Sequence, residues 1–322
     1  MPLENLIQSV TEADKSAAVQ PRSGPTENLS SRLRPFAVAT VILGLAFSGP
    51  LIHLVKFALN ETLYSHIVLI PAVSLYLVFS DRQKLLAHVA LTRRLRVFPI
   101  LVGGVGLAGY WWAVHATGRL GETDYLAATT FSFLLCFVAV CDQFLGQATL
   151  RMIVFPVGFL IFMVPFPVAL RTVIETFMQH SSAVTAEWFF RLSGMPVGRH
   201  RLLIQLPAFE MQVAPECSGI HSSVVLLITS FMGGYLFLRT PWKRIALALA
   251  IIPLGILRNG FRIFVIGQLC VRIGPHMIDS PIHRHGGPLF FALSLVPLFL
   301  MLILLYKSDR VAGLIKPNHP GT

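Results

Sequence analysis

Reactive side chains of three types stand in short polar segments of an otherwise apolar sequence. Cys217 occurs in APECSGI, Arg262 in LRNGFRI and His283 in SPIHRHGGP. A thiol, a guanidinium group and an imidazole are the parts that thiol acyl transfer uses as nucleophile, anion stabiliser and proton carrier. The sequence therefore predicts this chemistry, provided that the fold brings the three segments to one place.

Cys217 is the cysteine that we expect to react. Pro215 and Ser218 beside it are typical of a helix start, and Gly219 leaves room for a close approach of the backbone. Backbone amides at such a start favour a thiolate and can hold an oxyanion. The other three cysteines are interpreted as small buried hydrophobes: Cys136, Cys141 and Cys270.

The composition is that of a membrane protein. Of the 322 residues, 54% are hydrophobic and 13% are charged, and the mean hydropathy is +0.69. An ordinary soluble domain carries about twice this share of charge. The net charge of +11 would suit nucleic acid, but in a chain this apolar we expect Lys and Arg to hold loops on the cytoplasmic side. With four cysteines, a disulfide scaffold is excluded.

Eight apolar runs are long enough to cross a bilayer, which needs about 20 residues per helix. Clusters of Lys and Arg fall on one side when eight spans are threaded, so both termini are predicted to be cytoplasmic. We expect an all-α bundle of about eight transmembrane helices, with the reactive residues at the outer (periplasmic) face. The runs lie at 35–55, 62–80, 97–116, 124–145, 150–170, 218–238, 245–265 and 287–306.

One membrane domain, at 35–306, is expected between a disordered cytoplasmic tail, 1–34, and a second cytoplasmic tail, 307–322. Within it, the outer segment from about Arg171 to Glu216 is long.

The first part of that segment, 172–192, mixes apolar and polar residues. It is interpreted as a helix that lies at the interface or packs over the bundle, or equally as an ordinary connecting helix. Further on, Leu202–Val213 predicts short extended structure around a break at Pro207.

The length of helix between Arg244, at the cytoplasmic face, and Arg262 puts Arg262 at the outer face. It follows Arg244 by 18 residues, which is about 27 Å of helix. Arg258 lies one turn deeper on the same helix face, with Asn259 next to it. Guanidinium groups at this depth need a partner, so they are candidates for a functional site.

Histidines of the third segment lie on the same outer side. His283 and His285 come immediately before a helix that Pro288 would start well. His221 follows Cys217 by one helical turn and is a competing imidazole.

The chain resembles the exosortases, members of the exosortase/archaeosortase family of membrane cysteine enzymes. The similarity rests on ECSGI at 216–220, NGFRI at 259–263 and His283 four residues before Gly287. Upstream, YSH with IPAVSLYL at 64–77 is similar to the family's early span, and FPVGFLIFMVPFP at 155–167 to its fifth. The resemblance covers about 36–306.

This resemblance implies processing of exported proteins that carry a C-terminal signal: a Pro-Glu-Pro-like motif, a transmembrane helix and a basic tail. It implies a multi-pass protein of the bacterial inner membrane. No metal or organic cofactor is expected, because the sequence has neither metal-ligand Cys/His spacing nor a Gly-rich phosphate loop, and no nucleic acid is expected as a partner. Cys217 is then the nucleophile, His283 the acid/base, and Arg262 stabilises the oxyanion or holds the motif's carboxylate. Six further residues are candidates for substrate binding or support: Arg258, Asn259, Glu216, His66, His221 and His285.

Two alternatives stay open at this point. A transporter or channel predicts broken helices and ionisable residues near mid-membrane, whereas the polar groups here gather at one face. A structural subunit of an envelope polysaccharide system could join Cys217 to Cys270 in a disulfide on the outer side.

Overall fold

A computed structural model describes residues 29–80, 97–116, 120–207, 209–214, 218–279 and 287–313. Within these ranges the chain is mostly helical, and its strands form one small sheet. The first helix begins at Leu29 and the last continues to Val311. Both therefore extend past the boundaries predicted for the membrane domain, 35 and 306.

The elements before the sheet are helices joined by short connections. In chain order they are α1 (Leu29–Ala46), α2 (Ser48–Asn60), a 3-10 helix (Thr62–Val68), α3 (Ile70–Ser80), α4 (Val97–His115), α5 (Glu122–Met152), α6 (Val154–Phe159), a 3-10 helix (Leu160–Met163) and α7 (Val168–Leu192).

The sheet and four further helices complete the described chain. They are β1 (Gly198–His200), β2 (Leu203–Leu206), β3 (Phe209–Gln212), α8 (Ile220–Phe237), α9 (Pro241–Leu249), α10 (Ile251–Arg272), a 3-10 helix (Pro275–Asp279) and α11 (Gly287–Val311).

Six helical segments of the described chain are long and apolar enough to cross a membrane, and the number is eight if each of two bent pairs is one span. The eight runs predicted from the sequence correspond to this upper number. The chain is therefore a multi-pass membrane protein. The six are Thr62–Ser80, Val97–His115, Glu122–Met152, Ile220–Phe237, Pro241–Arg272 and Gly287–Val311.

The first bent pair is α1 with α2, which meet at an angle of 69°. The backbone leaves the helical conformation at Phe47, where φ is −100° and ψ is 11°. Pro50 explains the break, because it has no N–H for the carbonyl of Ala46 and its ring collides with that group in a continuous helix. The run predicted at 35–55 is thus two helices and not one straight span.

The second bent pair is α6, with its 3-10 extension, and α7, at 87°. Pro165 and Pro167 lie in the break, and the residue before a proline disfavours the helical conformation. Val164, which precedes Pro165, accordingly has a ψ of 118°, and Pro167 itself is extended with a ψ of 143°. The run predicted at 150–170 ends in this corner. Residues at both bends are apolar or small, so neither carries the ionisable groups that a transporter predicts.

Helix α7 occupies the segment for which the sequence left several interpretations open. It packs along α10, with the rings of Phe190 and Phe264 in edge contact at 5.2 Å. Beyond it, the antiparallel sheet has the order β1-β2-β3, and Leu203 pairs with Gln212. The extended structure predicted around Pro207 is confirmed, whereas β1 was not anticipated. Side chains of α7, the sheet and α10 share one apolar core.

A buried polar network joins the far end of α8 to the end of α11. Lys243 donates to Asp309 at 2.7 Å, and both side chains are almost fully buried. Asp309 also accepts hydrogen bonds from the Arg239 amide and from the Thr240 hydroxyl, while Lys243 reaches Ser308. Because both charges are paired and hydrogen-bonded, the network holds α9 against α11.

Candidate active site

A cavity of about 600 Å³ opens where five parts of the chain meet. Its walls come from the 3-10 helix Thr62–Val68, the first turns of α7, α8 and α11, and one side chain of α10. These parts are far apart in sequence, so only the tertiary fold brings them together. Polar residues and backbone line much of the cavity, in contrast to the apolar helices around it.

One wall of the cavity is the start of α8, which directly follows the predicted nucleophile in the sequence. Ser218, Gly219 and Ile220 line the cavity. Gly219 precedes the first helical residue and has a left-handed backbone with φ 70°. A Cβ atom on it would lie 2.8 Å from the Arg258 guanidinium and 3.1 Å from the Asn259 amide. The close backbone approach predicted for Gly219 is therefore present.

Arg258 of α10 holds the start of α8 through hydrogen bonds. Its side chain is 7% exposed, and one terminal nitrogen donates to the Gly219 carbonyl at 3.0 Å and to the Ser223 hydroxyl at 3.3 Å. A buried guanidinium needs such acceptors because an unpaired charge is costly away from water. The partner that the sequence required for Arg258 is thus the backbone of the segment that follows Cys217.

Asn259 connects the same place to α7. It is 1% exposed, and its side-chain amide donates to the Ser182 hydroxyl at 3.0 Å. Since Asn259 also lies against Gly219, a single amide side chain links α7 and α10 beside the start of α8. Neighbouring residues of α10 thereby hold the helix start from two directions.

Arg262 lies one turn further along α10 and lines the cavity. His221 lines it too, from the first turn of α8, and interacts electrostatically with His66 of the 3-10 helix. His66 itself is not among the lining residues. Of the predicted residues that the structure describes, Arg262 and His221 thus face the cavity, while Arg258, Asn259 and His66 stand around it.

Four predicted site residues lie outside the described ranges: Glu216, Cys217, His283 and His285. Their described neighbours in the chain are informative. Ser218 directly follows Cys217, and Gly287 with Pro288 follows the histidine segment; all three line the cavity with Arg262. The described residues that follow the two segments thus line the same cavity as Arg262.

A comparison with protein-family models finds one that matches most of the chain. The model of the transmembrane exosortases matches residues 58–300. The chain belongs to the exosortase family. No curated protein matches it, and no solved structure does.

The matched range of this exosortase family member contains every element that lines the cavity. The resemblance noted in the sequence is thus confirmed at the level of the family. It extends over α3 to α10 and well into α11, so the cavity is a feature of the matched domain and not of an added segment.

Two charged residues that line the cavity of this family member were not predicted from its sequence. Arg171 and Glu175, in the first turns of α7, line the cavity and are joined by a hydrogen bond of 2.8 Å. The feature of the sequence that could have indicated them is a pair of opposite charges four residues apart. The pair was not predicted because the sequence left open whether this segment lies at the interface, packs over the bundle or only connects two spans.

The cysteines other than Cys217 behave as the sequence predicts. Cys136, Cys141 and Cys270 are free and buried. Cys270 lies near the Pro275 carbonyl, with its sulfur 3.9 Å from that oxygen. Among the described residues, Cys270 is thus a buried free thiol.

Proposed function

We propose that this chain is a membrane-embedded cysteine transpeptidase or peptidase that processes the C-terminal sorting signals of exported proteins. One observation carries the proposal. Arg262 lines a single cavity together with Ser218 and with Gly287, which are the described neighbours of the Cys217 and His283 segments. Membership of the exosortase family supports a role in sorting-signal processing.

In the proposed reaction, the Cys217 thiolate attacks a backbone carbonyl of the substrate near the sorting motif. The carbonyl becomes an oxyanion, and Arg262 stabilises it or holds the carboxylate of the motif. Collapse of this intermediate breaks the peptide bond, and His283 gives the leaving amine a proton. The resulting thioester then passes its acyl group to water or to an amine acceptor.

Arg258 and Asn259 have a positioning role in this proposal. Both hold Gly219, two residues after the nucleophile. Such support matters because a small displacement of a nucleophile lowers the rate strongly. His221 and His66 complete the polar surroundings at the cavity.

The proposed substrate has a short motif, one transmembrane helix and a basic tail. With both termini of the enzyme in the cytoplasm, as the Lys and Arg clusters predict, the cavity opens on the outer side of the bacterial inner membrane. The motif would emerge there while its helix lies in the bilayer. Exported proteins of this design are the proposed partners.

The substitution Cys217→Ala tests this proposal. Cleavage of a tagged sorting-signal substrate is monitored by blotting. We expect processing to fall by several orders of magnitude at an unchanged enzyme level, because acyl transfer runs through the thiolate. Cys136→Ala is the matched control and should process normally, since this thiol is buried away from the cavity. Normal cleavage by Cys217→Ala would end the thiol mechanism.

The histidine assignment has its own test. His283→Ala, His285→Ala and His221→Ala are compared at matched enzyme levels on the same substrate. Strong loss in His283→Ala alone supports the proposed proton carrier. Loss confined to either of the other two variants would transfer the role to that residue.

A further inference from the structure

The cavity has a second polar wall that the proposed mechanism does not use. Arg171 and Glu175 lie one turn apart on α7, and both line the cavity. The Nε atom of Arg171 donates to Oε1 of Glu175 at 2.8 Å. Tyr64 of the 3-10 helix Thr62–Val68 is 1% exposed and lies near the same guanidinium, although its phenol oxygen has no hydrogen-bond partner among the described residues.

This pair is not an ordinary surface ion pair. Exposed pairs at this helical spacing are solvated and contribute little. The Glu175 side chain is only 17% exposed, and the phenol next to it is buried. In the second pair of this spacing on α7, Glu187 is similarly buried, but its partner Arg191 is 66% exposed, against 40% for Arg171. The half-buried Glu175 therefore fixes the direction of the Arg171 guanidinium through its hydrogen bond.

Arg171 keeps donors for a ligand. A guanidinium group has five N–H donors, and the bond to Glu175 uses the one on Nε. The two terminal nitrogens carry the other four. The side chain is 40% exposed, so these donors are accessible from the cavity that Arg171 lines.

The charge of the cavity favours an anionic group. Among the described residues that line it, Arg171 and Arg262 are cationic and Glu175 is anionic. The net charge of these described lining residues is therefore +1, and this charge attracts a carboxylate. A planar guanidinium binds a carboxylate through two parallel hydrogen bonds, an arrangement that an ammonium group cannot reproduce.

We propose, on the basis of the function proposed above, that Arg171 binds the acidic side chain of the sorting motif and leaves Arg262 to the oxyanion. Arg262 lies one turn from Arg258, which holds the carbonyl of Gly219, two residues after Cys217. Arg171 belongs to a different wall. In the proposed binding mode, the scissile carbonyl of the peptide meets Arg262, and the acidic side chain of the motif meets Arg171 on the other wall.

A double-mutant cycle between enzyme and substrate tests this assignment. Wild type and Arg171→Ala each process two tagged substrates, one with the motif glutamate and one with glutamine in its place. We expect each single change to lower processing about ten- to a hundredfold, as for hydrogen bonds to charged groups. The combination should be no worse than either change alone. Losses that multiply, or an Arg171→Ala enzyme with normal activity, would overturn the proposal.

Two controls keep the test decisive. Arg191→Ala removes the exposed arginine of the other pair on α7 and should process both substrates normally. If Arg171→Ala does not accumulate, Arg171→Lys replaces it: we expect loss on the glutamate substrate and no loss relative to wild type on the glutamine substrate. Cleavage that persists in Cys217→Ala would refute the proposed function itself, whereas multiplying losses refute only the role of Arg171.

Discussion

Gly219 is the residue at which the backbone geometry and the charges of the site meet. Its φ of 70° is one that residues with a Cβ rarely adopt. Its carbonyl accepts a hydrogen bond from buried Arg258, and its Cα faces Arg258 and Asn259 with no space for a methyl group. The way in which the start of α8 lies against α10 therefore depends on this residue.

We expect Gly219→Ala to lower processing by about tenfold or more at an unchanged enzyme level. The added Cβ must displace the Arg258 guanidinium, and the left-handed backbone costs about 1–2 kcal/mol. Gly194→Ala is a matched control, because Gly194 has a φ of 74° and nothing within 4 Å of an added Cβ. The Gly194→Ala variant has the energetic cost of the left-handed backbone but no steric clash, so it should process the substrate normally. Equal losses in both variants would show that the contact with Arg258 is unimportant.

At this scale the sequence predicted some contacts and missed others for a physical reason. The face shared by Arg258 and Arg262, and the room at Gly219, follow from local geometry and were predicted. The meeting of Arg171 and Glu175 with Tyr64 joins segments about a hundred residues apart. Helical periodicity carries no information on such a contact, because it depends on how α7 is placed.

Among the elements, α7 and α10 form the frame of the site. Gly260 of α10 faces Thr185 and Ala186 of α7, and a Cβ on Gly260 would lie 2.6 Å from the Cβ of Thr185. Gly267 contacts Phe190 with equally little space. Small residues let the two helices approach closely. The hydrogen bond from Asn259 to Ser182 requires this short separation.

Gly260→Ala should therefore destabilise the protein by about 1–3 kcal/mol, the usual cost of overpacking. The measurement is the thermal unfolding midpoint of the purified protein in detergent. Gly104→Ala in α4 is the control, because nothing lies within 4 Å of its added Cβ. It should be neutral or gain about 0.5–1 kcal/mol from a better helix former. An unchanged midpoint for Gly260→Ala would mean that the two helices do not need their close contact.

The bends show what hydropathy can and cannot predict about elements. An average over about 20 residues finds the apolar runs, and each corresponds to a helix or a bent pair. The same average does not register Pro50, Pro165 and Pro167, which decide where those runs break. As a result α7 begins in a corner and lies along α10, and the sequence could not choose between its possible positions.

Across the whole molecule, α8 separates two polar regions. The candidate site lies at its first residue and the network of Lys243 and Asp309 lies just past its last. Its 18 residues correspond to about 27 Å, close to the thickness of the hydrocarbon layer. One end of the bundle thus holds the reactive groups, and the other end is fixed by a paired charge.

Asp309→Ala should lower the thermal unfolding midpoint by several degrees, because it leaves the Lys243 ammonium group buried without its counter-charge. Replacing both residues, as Lys243→Met with Asp309→Ala, should restore part of this loss, since no unpaired charge then remains. Protein that still folds should process substrate normally, because the network is distant from the cavity. A double variant that is less stable than Asp309→Ala would contradict this account.

The last prediction concerns the orientation of the molecule, which decides whether the cavity can meet an exported substrate. Positive loops predict a cytoplasmic face that includes the end of α11, and an outer face that includes the loop before α5. Gly121 in that loop is exposed with space around it, and Val311 is 90% exposed. In a Cys217→Ala parent, whose described cysteines are buried, we introduce Gly121→Cys or Val311→Cys. A membrane-impermeant maleimide should label Gly121→Cys in intact cells and Val311→Cys only after the membrane is opened. The reverse pattern would put the cavity in the cytoplasm and refute processing on the outer side, even if Cys217 proved reactive.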